Sequence, residues 1–148
     1  MENKYYTPDI SEFHVGFEFE AKVYVARSAK EEDISWSWEK CKLGEPDKFS
    51  SLVSNSMIDD GMLESESIRV KHLDKEDIES LGWEHKLHGF SEDGDTTFDK
   101  FQKRNYFMIH EDDGFIIIWF ENQSSITSFR GTVRNKSELK KILKQIGV

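Results

Sequence analysis

The sequence predicts an α+β fold: a mostly antiparallel sheet with a C-terminal β-meander followed by a packed helix, plus one or two short helices. Three observations predict it. Apolar residues alternate with polar ones along the N-terminal third, as Phe13, Val15, Phe17, Phe19, Ala21, Val23 and Val25, which is the period of a half-buried strand. Short apolar runs separated by turn residues fill 105–133, the pattern of consecutive hairpins. Leu139, Ile142, Leu143 and Ile146 form one apolar stripe at helical spacing. At 148 residues the chain suits a single α+β domain over 1–148, able to bury a core without staples.

The elements follow in order. Glu12–Val25 reads as a strand, with Gly16 marking a bulge or a close backbone approach. Its polar face would carry Glu12, His14, Glu18 and Glu20. Residues 26–33 form a polar loop, and 34–40 a second strand with Ile34, Trp36 and Trp38 on one face. After the turn at 44–47, Phe49, Leu52, Val53, Ser56 and Met57 fit a short helix. Ile68–Leu73 is a short strand. Asp74 then caps a two-turn helix that directs Ile78 and Leu81 inward and stops at Gly82. Trp83 follows and folds toward the core or an interface. Residues 88–104 read as a polar connection. Asn105–His110, the turn Glu111–Gly114, Phe115–Glu121 and Ile126–Val133 make the meander. FIIIWF at 115–120 is apolar on both faces, which predicts a central strand covered on both sides. Asn135 and Glu138 have the form of a capping box, and Gly147 closes the last helix.

Composition narrows the class. Aromatic residues make up 13% of the chain, which argues against disorder. A single cysteine, Cys41, excludes an intramolecular disulfide and fits a reducing compartment. MENKYYTPDI lacks the apolar core of a signal peptide, and no apolar run is long enough to span a bilayer. A cytoplasmic protein without membrane attachment is expected. The net charge is −9, divided as −14 over residues 1–128 and +5 over 129–148. An acidic body repels a phosphate backbone, so general nucleic-acid binding is not expected. The basic C-terminal stretch suits the end of a helix, where cations favour the macrodipole.

Motifs for known chemistries are sparse. His85 and His88 stand three apart, but in an extended segment such a pair points to opposite faces. From Asp93 onward the acids alternate, yet an EF-hand would need Gly and an acid where Phe98 and Arg104 stand. Cys41 lies between lysines that would point away from it on a strand. Turn chemistry explains the acids after His110. Neither a nucleophile elbow nor a phosphate-binding glycine loop occurs. No catalytic residue, metal site or cofactor is expected.

The segments YYTPDISEFHVGFEFE, IRVKHLDKEDIESLGWE and NKSELKKILKQIG resemble small uncharacterised proteins of phages and integrated mobile elements of gut Bacteroidetes. The resemblance covers both ends and the middle of the chain, leaving 26–60 and 88–104 without a counterpart. It implies a phage or mobile-element origin and action inside the bacterial host cell, and it carries over no site residue.

The expectation is a non-enzymatic accessory protein that binds a host or phage protein, a host defence protein being one case. Its surface would be acidic and aromatic, built from Glu12, His14, Glu18, Glu20, Trp36, Trp38 and Trp83, and would meet a basic partner. Two other readings stay open. One is a metal-dependent hydrolase or nuclease using Glu18, Glu20, His14 and His110. The other is a virion or assembly component in which FIIIWF faces a second subunit.

Overall fold

A computed structural model describes residues 4–26, 34–44, 67–91, 94–121 and 126–148. The fold is α+β, as the sequence predicts, with two antiparallel sheets and few helices. The chain divides into two compact units, Met1–His72 and Leu73–Val148. Among the described residues no helix is long and apolar enough to cross a membrane. The helix expected around Phe49–Met57 lies outside the described residues.

The N-terminal unit holds a four-stranded sheet in the order β1 (Tyr5–Tyr6), β4 (Ile68–Lys71), β2 (Glu18–Ala26), β3 (Ile34–Lys42). Its core is Phe17, Phe19, Ala21, Cys41, Ile68 and Val70, with Tyr6, Phe13 and Leu43 packed against it. Cys41 is thus a core residue, while Lys40 and Lys42 point the other way along the strand.

The first strand is shorter than its alternation suggests. Glu12 ends a 3-10 turn, Ile10–Glu12, capped by Asp9. Gly16 takes φ +88 in a tight turn, where Phe17 N–H donates to the His14 carbonyl at 2.9 Å. That backbone angle is open to glycine and costly for a β-branched neighbour. Extended pairing therefore starts only at Glu18, and Val15, placed inward by the alternation, is 84% exposed.

The C-terminal unit is a five-stranded meander, β5 (Glu84–Phe90), β6 (Thr97–Lys103), β7 (Tyr106–Glu111), β8 (Phe115–Phe120) and β9 (Thr127–Thr132), each paired with its neighbour in sequence. The sequence reading finds the last three strands and misses the hairpin β5–β6. Phe98 and Phe101 stand three apart in β6 and so face opposite ways, leaving no alternation to read. Ile116 and Ile118 of β8 enter the core with Phe101, Met108, Val133, Trp83, Leu73 and Ile78. Phe115, Ile117 and Trp119 occupy the other face and are only half-buried, so β8 is not sealed on both sides.

Two helices complete this core. α1 (Lys75–Ser80) is capped by Asp74, whose carboxylate accepts from Asp77 N–H at 2.9 Å, and buries Ile78. Gly82 follows it at φ +83. α2 (Lys136–Ile146) buries Leu139 and Leu143. Its cap is Asn135, itself buried, whose side chain accepts from Glu138 N–H at 2.9 Å. Glu138 reaches back one residue further than a standard capping box, to Arg134 N–H at 2.8 Å. Asn135→Ala is expected to lower the stability of this unit by about 1 kcal/mol, read as a shifted urea midpoint.

Candidate functional site

Alternation along β2 turns Phe19 and Ala21 inward and leaves Glu18, Glu20 and Lys22 on the outer face. Residues opposite one another in an antiparallel pair share a face. Glu18 stands opposite Lys42, Glu20 lies between Lys40 and Arg69, and Lys22 is opposite Trp38. Beyond β4, Lys71 is opposite Tyr5. Among the described residues of this face the two acids are therefore set among five cationic residues, Lys22, Lys40, Lys42, Arg69 and Lys71, a formal net of +3 for these seven. The sequence reading made this an acidic surface. That is corrected by the neighbouring strands, which bring lysine and arginine opposite each glutamate.

Arg69 organises the face. Its guanidinium carbon lies 3.9 Å from the centre of the Tyr5 ring and 4.0 Å from that of Trp38. Its Nε and Nη2 each reach the same Glu20 carboxylate oxygen at 2.7 Å. A planar cation between two aromatic rings gains quadrupole attraction from both. Half-buried, the group joins β1, β4, β2 and β3 into one outward-facing polar and aromatic cluster.

The other predicted residues separate. Glu12 turns its carboxylate to its own turn, accepting from Asp9 N–H at 3.0 Å and from the Tyr6 hydroxyl. His14 is hydrogen-bonded to the Val15 carbonyl at 3.0 Å and packs edge-on against Phe17. Neither belongs to the β2 face, because the Gly16 turn intervenes. Trp36 pairs with Tyr24 in register, and its side chain lies outside the described residues. Trp83 is 2% exposed in the C-terminal core and offers no surface anchor. His14 and His110 fall in different units.

A second polar cluster escaped the sequence reading. A bulge between His85 and Leu87 shifts the register of β5 by one residue, which brings His85 and His88 to the same face rather than to opposite ones. Asp99, placed by the sequence in a solvated loop, lies on β6 beside them. One carboxylate oxygen, Oδ1, meets His85 Nε2 at 2.7 Å and His88 Nδ1 at 3.1 Å. Burial alone would raise the Asp99 pKa, but the hydrogen bonds and charge of the two imidazoles hold it below the ordinary 3.8.

His110 sits directly opposite Asp99 on β7. Its Nε2 is buried without a hydrogen-bond partner. Burial pushes its pKa below the ordinary 6.5, against the raising influence of Asp99, Asp113, Asp74 and Asp112. Among the described residues no group of three or more His, Cys, Asp or Glu side chains is arranged to hold a metal ion. No family model matches the chain, and no curated protein or solved structure matches it either.

Proposed function

We propose that the chain is a non-enzymatic interaction protein that docks a partner protein on the outer face of its four-stranded sheet. The observation that carries this reading is Arg69, held between Tyr5 and Trp38 by Glu20. Interfaces favour aromatic and arginine anchors, and preformed ones lose little side-chain entropy on binding. The surplus of cations around the stack makes an acidic stretch of protein the fitting partner, so association is steered by charge and weakened by salt. The likeness of three segments to phage and mobile-element proteins supports action on a protein of the bacterial host, a defence component being one case.

The test is affinity capture from nuclease-treated host lysate at low salt, with wild type and Trp38→Ala side by side. A protein retained by wild type, released by salt and absent from the variant supports the reading. Capture that is indifferent to Trp38 sinks it.

A further inference from the structure

The five-stranded sheet carries α1 and α2 on one face. Phe101, Met108, Ile116 and Ile118 point to that face and are buried with Ile78, Leu139 and Leu143. Their neighbours along each strand point the other way. One row across the outer face is Lys100, Ile109, Ile117 and Arg130, paired in that order from β6 to β9. The next row sets Phe107 opposite Trp119. None of these residues belongs to a buried cluster, and Ile109, Ile117, Phe107 and Trp119 are half-buried. An apolar centre thus lies between two cations on a face that neither helix covers.

We propose that this face is a second docking site, one that takes an amphipathic helix of a partner protein, laid along β7 and β8 with acidic residues on both sides of its apolar stripe.

The dimensions match a helix. Neighbouring strands lie about 4.8 Å apart, so three spacings set Lys100 and Arg130 on the order of 14 Å apart. A helix with its side chains is about 10–12 Å wide. Seated over the two isoleucines, it brings the flanks of its apolar stripe above β6 and β9, where the cations stand. β8 has six residues, roughly 20 Å of strand, which a helix of about 13 residues spans. The acids Glu111, opposite Phe98, and Glu84, paired with Lys86 at 2.6 Å, lie outside the isoleucine row.

Ring geometry and charge disfavour other occupants. Phe107 and Trp119 stack on each other at 5.7 Å, and Lys100 Nζ lies over both, 5.2 and 5.7 Å from their centres. The Arg130 guanidinium lies 5.6 Å from the centre of the Phe115 ring. The Phe98 ring lies over Gly89, where a Cβ would meet it at 2.8 Å. These ring faces are already engaged, and a nucleic-acid base needs an open one to stack on. A second copy fits no better. Laid face to face over the isoleucines, a two-fold axis along the strands sets Lys100 against Arg130, and one along the row sets each cation against its own copy. Neither Arg69 nor Trp38 takes part, since both belong to the other sheet.

A peptide of about 14 residues, with a leucine stripe flanked by glutamates and held helical by a side-chain staple, tests this on the whole chain by NMR titration. The methyl groups of Ile109 and Ile117 are expected to shift, while the Trp38 indole N–H stays in place. The same peptide with lysines for glutamates is expected to bind about tenfold more weakly, as is the glutamate peptide to the Lys100→Ser, Arg130→Ser double variant. If that variant does not fold, the two peptides on wild type decide the matter. Equal affinity for the two peptides, or undiminished binding to the folded double variant, overturns the proposal. So does a glutamate peptide that fails to bind or that moves only the Trp38 indole. A dimer in sedimentation equilibrium that Ile117→Glu dissociates would give the face to a second copy and overturns it too.

Discussion

Replacing Phe101 with Ala is expected to remove about 3–5 kcal/mol from the C-terminal unit, the loss usual for truncating a buried aromatic side chain. Phe101 is fully buried, with 0% exposure, between Met108 on β7 and the rest of the helix-facing core. A small domain has about 5–15 kcal/mol in all, so this one change consumes a large share of it. Phe90, on the neighbouring strand, is the control. It is 68% exposed, and Phe90→Ala should stay within about 0.5 kcal/mol. Urea unfolding followed by tryptophan fluorescence reads both. Similar midpoints for the two variants would mean that the core is not where the packing places it.

Trp38→Ala is expected to cost about 2 kcal/mol or more in partner affinity, roughly thirtyfold, as for an aromatic anchor at an interface. Arg69→Lys isolates the geometry. It keeps the charge but loses the planar group that fits between Tyr5 and Trp38 and meets Glu20 through two nitrogens. About a tenfold loss is expected from the lysine variant. Val15→Ala, in the exposed turn before β2, should leave affinity unchanged. Surface plasmon resonance against the captured partner measures all three. A lysine variant as tight as wild type would show that charge alone suffices and that the aromatic clamp is incidental.

Local signals in this chain were readable where a few neighbouring residues decide the outcome. Asp74, Ile78 and Gly82 announce α1, and Asn135, Leu139, Leu143 and Gly147 announce α2, because caps and stripes act within one or two turns. The strands β7, β8 and β9 are bounded by visible turn residues. What failed was what depends on distant pairing, on a shift of register or on a turn that the alternation does not show. Glu20 looked like part of an acidic face because its partner Arg69 is 49 residues away in sequence. His85 and His88 looked opposed because one extra residue in a bulge, invisible in the sequence, reverses the alternation. Val15 looked buried because alternation cannot register a left-handed turn at Gly16. The residues of the candidate site were partly legible, Glu18, Glu20 and Trp38 among them. The character of the site was not, since Arg69, Tyr5 and the lysines arrive from other strands.

The two sheets also differ in how far the chain must travel to close them. In the meander each strand folds back on the one just before it, with Arg104 and Asn105 alone joining β6 to β7. In the other sheet β4, at residues 68–71, must return to strands at 18–26 and 5–6. Closing a loop costs more entropy as it lengthens, and distant pairings slow folding. The C-terminal sheet can therefore assemble hairpin by hairpin, whereas the Arg69 cluster needs Arg69 to meet Glu20, 49 residues away in the sequence. On the docking reading proposed above, binding would then await a sheet that closes more slowly than the meander, and a chain caught partway through folding would hold its meander before its docking face.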